Sequence, residues 1–351
     1  MELPQNPKQS REQKPKSFRV GMNKKIKMKK FSMLSIVALA CMATLMSCSK
    51  SEENVSSSSN PTVYIAGNIS GNNSGYWKNG TFTSLSSCIE ADAIFVSGSD
   101  VYVAGKNGGY VTYWKNGTAV NLTNGTTQAW TYSIFVSGSD VYVAGCNGNF
   151  ATYWKNGVAV NLSDGTTGAC ANSIYVSGSD VYVAGCNGNF ATYWKNGVAV
   201  NLSDGTTDAE ANSIYVSGSD VYIAGYNGNF ATYWKNGTAV NLTNGTTNSQ
   251  ANSIYVSGSD VYVAGYITNS SGYGVATYWK NGTAVTLSDG TTWAGANSIY
   301  VSGSDVYVAG YVVNKSSGTD SFSFATYWKN GTAVNLTDGT TYANASSIFV
   351  K

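Results

Sequence analysis

One unit of sequence is copied seven times along this chain, and that repetition constrains the fold more than any other feature. A segment Val-Tyr-(Val/Ile)-Ala-Gly begins at Val63, Val101, Val141, Val181, Val221, Val261 and Val306. Trp-Lys-Asn-Gly recurs at Trp77, Trp114, Trp154, Trp194, Trp234, Trp279 and Trp328. A third segment, of the Ser-Ile-Tyr-Val type, ends at Val96, Val136, Val176, Val216, Val256, Val301 and Val350. A period near 40 residues marks a unit that cannot bury its own faces and must stack on copies of itself.

One copy reads as four short strands. Between Ser173 and Gly205, strand A covers 173–177, strand B 181–186, strand C 190–195 and strand D 198–202. The runs are rich in Val, Ile, Tyr, Thr and Trp, and Gly, Asn, Asp and Ser separate them. Gly178-Ser179 is a two-residue turn, and Asn196-Gly197 is the strongest short hairpin signal, because both positions favour positive φ. Val181 and Val183 alternate with Tyr182 and Ala184, while Thr192 and Trp194 alternate with Ala191 and Tyr193. Neither face is charged, so both must be covered. Four strands in about 40 residues, stacked on their copies, make a propeller blade. The expected fold is all-β: a seven-bladed β-propeller of four-stranded antiparallel blades. The phase of the repeat supports a ring, because the copies begin at strand B (Val63) and end at strand A (Ser347–Val350). The C-terminal strand would pair into blade 1 and remove an open edge. A linear β-solenoid is the competing architecture.

Composition removes several chemistries. The 351 residues include no His, which excludes Ser-His and Cys-His catalysis and imidazole metal sites. Both arginines, Arg11 and Arg19, lie near the N-terminus. After Cys48 there are 11 Lys against 17 Asp and Glu, a balance that argues against nucleic acid. No cofactor or metal is expected. The Asp of each Ser-Gly-Ser-Asp turn, and Asp164, Asp204, Asp289 and Asp338, read as turn residues rather than calcium ligands.

The N-terminal region reads as an address. Residues 22–48 carry a lysine-rich start and an apolar run from Phe31 to Leu45, too short for a stable membrane span. This stretch resembles a bacterial lipoprotein signal peptide, with Leu45-Met46-Ser47-Cys48 as the lipobox. Ser47 departs from the commoner Gly or Ala. The resemblance implies lipidation of Cys48, and an ordinary secretory signal is the alternative. Residues 1–21 read as a mis-called start or extension, 22–47 as the signal, 48–61 as a lipidated Cys with a Ser-rich tether, and 62–351 as the propeller. The acidic Ser49-Lys50-Ser51-Glu52-Glu53 patch resembles surface-export signals of Bacteroides–Flavobacterium lipoproteins. It implies an outer-membrane protein facing the exterior, held by its lipid anchor alone. The unit SIYVSGSDVYVAGY resembles bacterial extracellular β-propeller repeats, which implies a surface scaffold and assigns no activity.

Differences between copies locate a candidate surface. The Ser-Gly-Ser-Asp turn between strands A and B is the same in all six complete cases, and the Lys-Asn-Gly turn between C and D is the same in all seven. The D–A connections vary, as do the ends of strand B and the lengths between B and C. In an antiparallel meander these variable parts share one end of the blade. The tether enters at the other end, so the variable face would point away from the membrane, as a presented binding surface should. Drift in unconstrained loops is the alternative reading.

Trp130 and Trp293 are the only tryptophans outside the repeat position. With Tyr132, Tyr342, Tyr226, Tyr266 and Tyr311 they are expected to line the mouth of the ring, beside Asp208, Glu210 and Gln250. Aromatic faces beside hydrogen-bonding groups suit sugars. The expected function is a non-enzymatic, monomeric scaffold that binds glycan. A protein partner in the cell envelope is the alternative, and a carboxylate-based glycan-active enzyme a third. Asp208/Glu210 and Glu90/Asp92 read as solvated loop acids. Antiparallel counting places Cys170 opposite Cys186, where an oxidising compartment would permit a disulfide; Cys88 and Cys146 have no evident partner.

Overall fold

The computed structural model describes residues 60–70, 73–315 and 322–351. The signal, the lipidation candidate Cys48 and the tether up to residue 59 lie outside the described residues.

Seven four-stranded antiparallel sheets follow one another around a ring, with no α-helix among the described residues. Blade 4 stands for the others: strand A is Ala169–Ser177, B Asp180–Asn187, C Phe190–Lys195 and D Val198–Asn201. The turns form as their residues dictate. Asn196 and Gly197 both take positive φ, 52° and 83°, the type I′ geometry that matches strand twist. Blade 1 takes strands B to D from residues 63–84 and strand A from Ala343–Val350. The closing strand pairs in register from Val63↔Val350 to Ile69↔Ala343. Reciprocal backbone bonds extend it: Thr62 N–H donates to Lys351 at 2.6 Å, and Lys351 N–H donates back at 2.9 Å. The solenoid alternative is therefore excluded.

Strand A is longer than the sequence pattern suggests. It begins at Ala169 rather than Ser173, and a bulge at Asn172 interrupts the register. The bulge hides the first four residues from a period-2 reading, because it shifts their alternation by one. Trp130, Cys170, Glu210 and Gln250 consequently sit on strands, not in loops. The bulge also explains the Gly of each Val-Tyr-Val-Ala-Gly segment. A Cβ on Gly185 would collide with the Cys170 carbonyl, and Gly145 and Gly225 face the equivalent carbonyls of Trp130 and Glu210.

Burial is organised between blades. Seven hydrophobic clusters occupy the seven blade boundaries, including the one between blades 7 and 1. At the boundary of blades 3 and 4, Trp194 packs with Ile174, Val176 and Val183 against Tyr142, Ala144 and Ala151. All seven repeat tryptophans are no more than 1% exposed. At about 25 cal/mol per Å², burying one such ring is worth roughly 4–6 kcal/mol before entropy is charged against it.

The A strands surround the axis. Toward the A–B turns, Phe95, Phe135, Tyr175, Tyr215, Tyr255, Tyr300 and Phe349 form an unbroken circle of edge-tilted rings, with neighbouring centroids 4.8–5.1 Å apart. Above it, the Ser133, Ser173, Ser213, Ser253, Ser298 and Ser347 hydroxyls each accept a hydrogen bond from an Ile N–H of the next blade. Ala93 holds the seventh position and has no hydroxyl to offer.

Candidate functional site

The two ends of the blades differ in kind. At the end carrying the A–B and C–D turns, one clasp is built six times. In blade 4, Asp180 pairs with Lys195 at 2.9 Å and accepts from the Asn196 amide at 2.8 Å, while Asn196 accepts from Val181 N–H at 2.9 Å. Lys195 also lies over the Tyr182 ring. The pairing lowers the Asp180 carboxyl below its ordinary value, through the hydrogen bonds from Asn196 and Lys195. These contacts account for the Asp that every A–B turn carries. The Asp164 group is likewise structural: Asp164 accepts from the N–H and hydroxyl of Thr166, and Asn124 makes the same bonds to Thr126.

The opposite end carries the B–C and D–A connections, and every predicted binding residue lies there. They do not form one mouth. Trp293, Tyr311 and Tyr342 come together in an open cleft of about 450 Å³ across blades 6, 7 and 1. Gly272, Tyr273, Thr292, Val313 and Lys315 complete its lining. The Trp293 indole N–H donates to the Tyr311 hydroxyl at 2.7 Å, which fixes the two rings relative to each other. Tyr266 packs behind Trp293 at 5.6 Å between centroids, and burial raises the Tyr266 and Tyr311 hydroxyls above their ordinary values. Tyr342 and Tyr273 remain 50% and 37% exposed. Gly274 lies so close to Trp293 that a Cβ would press on the indole. Lys315 stands over the Tyr273 ring at 5.2 Å. Tyr273 and Lys315 escaped the sequence reading because they belong to the two B–C insertions, which have no counterpart in the other copies.

The acidic candidates gather elsewhere. The Tyr226 hydroxyl shares its one proton between Asp208 and Glu210, each at 3.2 Å, and burial followed by these two carboxylates raises its pKa. Glu210 also accepts from the Asn172 amide of the preceding blade at 2.8 Å. Gln250 is half-buried and cross-strand from Tyr266. Trp130 lies beneath Lys106, whose ammonium is 4.8 Å from the ring and 3.5 Å from Glu90. Of the predicted aromatics only Tyr132, 44% exposed, enters the axial channel. The acids thus meet Tyr226 and Tyr132 rather than the cleft of Trp293, Tyr311 and Tyr342.

The channel is polar. Asp92, Tyr132, Asn172, Asn212, Asn252, Asn297 and Ser346 hold equivalent positions around it. Asn212 and Asn252 donate to the Ala251 and Ala296 carbonyls of the next blade, each at 3.0 Å. Asp92 corrects the expectation of a solvated loop acid. It accepts from the Thr131 hydroxyl at 2.8 Å, and desolvation pushes its carboxyl up to about 7 against that bond.

The cysteines pair differently from the expectation. Cys170 and Cys186 are indeed register partners, but the disulfide joins Cys170 to Cys146 of the preceding blade, with Cα atoms 4.8 Å apart. This end of strand A faces the neighbouring blade, a relation that counting within one sheet cannot reach. Cys186 is a free thiol, pushed up to about 11 by burial and then by Glu210. Cys88 is free and buried.

No family model and no curated protein matches the chain. Among solved structures, the crystal structure of the computationally designed Ika8 protein is similar at 17% identity, over 82% of this chain and 96% of that one, with a TM-score of 0.46.

Proposed function

We propose that this protein is a lipid-anchored scaffold of the bacterial outer membrane, facing outward through Cys48, that binds glycan without chemical turnover. The observation that carries the reading is the cleft of Trp293, Tyr311, Tyr342 and Tyr273. Two of its rings are held by a hydrogen bond and two are open to solvent. The faces of Trp293 and Tyr311, already fixed against each other, bind sugar rings at a reduced entropic cost. Placement supports the reading as well. The chain enters the ring at Asn60–Thr62, beside the A–B turns, and the cleft opens at the other end. A lipid foot would leave the cleft pointing outward. The protein acts in this reading as a monomer, with no cofactor and no nucleic-acid partner.

Tryptophan emission of the full chain, titrated with a panel of neutral and acidic oligosaccharides, tests the binding role. At least one glycan should shift the emission. Trp293→Ala should abolish the response and Trp130→Ala should leave it intact. Capture of an envelope protein with no response to any glycan would favour the protein-partner alternative. The anchor is tested separately: radiolabelled palmitate should enter the protein in cells and be lost in Cys48→Ser.

A further inference from the structure

The cleft has one charged side chain among its described lining residues, and that charge bears on what it binds. Among the described residues its lining contains no Asp, Glu, Asn or Gln. The side-chain polar groups are one ammonium, three phenols, one threonine hydroxyl and an indole N–H that Tyr311 already accepts. Neutral sugars offer donors and acceptors in similar number, and a site for them needs acceptors of its own. The phenols and the threonine hydroxyl supply both, so the group that departs from a neutral-sugar site is the Lys315 ammonium, which carries charge and only donates.

Lys78 and Lys315 each stand over an aromatic ring with no ion pair among the described residues, and of the two only Lys315 lines the cleft. The lysines of the six clasps each have a carboxylate within 2.9 Å. Lys106, the other lysine at this end, is paired with Glu90 at 3.5 Å. Lys315 has no ion pair among the described residues, and it stands over an aromatic ring at the cleft's rim. The nearby Asp289 is engaged first by the N–H and hydroxyl of Thr291, both at 2.9 Å; it feels the Lys315 charge only as the smallest of its influences and does not line the cleft. The chain after Cys48 is acidic overall, 11 Lys against 17 acids. General attraction therefore does not favour anions, and a local cation must.

Resting on the glycan reading above, we infer that the cleft selects acidic sugars, with Lys315 pairing with a carboxylate or sulfate while Trp293 and Tyr342 contact the ring. Arrangements of this kind set specificity and on-rate more than total affinity. The uronic acid and the sulfated sugar share the recognised chemistry.

Matched pairs of probes separate the claims. Oligogalacturonate is compared with its methyl ester, and dextran sulfate with dextran, by tryptophan emission of the full chain. The charged member of at least one pair should bind about tenfold more tightly, and which pair responds identifies carboxylate or sulfate. Lys315→Gln should erase that preference and flatten the salt dependence, leaving the residual affinity near that of the neutral probe. Equal binding of both members of each pair, unchanged by Lys315→Gln, would overturn the selectivity and leave the glycan reading standing. No response to any of the four probes or to the wider panel would overturn both.

Discussion

The two ends of the ring began from the same repeat and have gone different ways. At the end carrying the A–B and C–D turns, Asp180, Lys195, Asn196 and Tyr182 form a clasp that recurs with distances varying by a tenth of an ångström in the ion pair. Its residues are spent on one another, and little is left to bind anything else. At the far end, the equivalent position on strand A is Glu90, Trp130, Cys170, Glu210, Gln250, Gly295 and Asn344 in turn. The same backbone therefore carries an ion pair, a disulfide, an acid–phenol cluster and an aromatic cleft. Sameness at one end keeps the frame closed, and it frees the other end to differ.

Removing the closing strand would break this comparison most severely. A chain lacking residues 345–351 loses the pairing with Val63–Gly67, the Thr62–Lys351 bonds and one member of the aromatic circle. Circular dichroism should show a melting transition lowered by tens of degrees or no cooperative transition at all. A transition unchanged from the parent would mean that closure contributes nothing.

The disulfide is next in size. It ties blades 3 and 4 only at the variable end, across 24 residues of sequence. Cys146→Ser should lower stability by about 3 kcal/mol, and reductant should lower the parent by a similar amount and leave the variant unmoved. Non-reducing peptide mapping should recover Cys146 with Cys170. Recovery of Cys170 with Cys186 would contradict the inter-blade assignment.

A smaller effect comes from Asp92. Its carboxyl is raised to about 7 in the folded chain, so the folded state favours the protonated form. Ionisation therefore weakens the fold as pH rises from about 4 to 7 and weakens it no further above that. Four sister blades carry Asn at this position. Asp92→Asn should raise the melting temperature at pH 8 and change it little at pH 4. An equal shift at both values would deny the carboxyl its role.

The fold was legible because its signals were local and repeated. Asn196-Gly197 announces a hairpin, Trp194 announces a buried face, and the phase between Val63 and Val350 announces closure. The channel and the site were harder for one shared reason. They depend on which residues of neighbouring blades meet, and a single-blade pattern is silent on that. Cys170 finds Cys146 rather than Cys186, Asp92 lies in the channel beside Thr131, and Trp130 lies under Lys106 away from Trp293. The bulge at Asn172 compounded this by disguising strand as loop. Tyr273 and Lys315 lay in insertions whose only signal was length.

Hydrogen–deuterium exchange of the full chain with oligogalacturonate and with dextran sulfate would test most directly whether recognition belongs to the variable end. Protection should gather at 270–275, 290–294, 311–315 and 341–343, with the Ser-Gly-Ser-Asp and Lys-Asn-Gly turns exchanging as they do in the free protein. Protection centred on those turns, or spread evenly over both ends, would contradict the division of labour proposed for this ring.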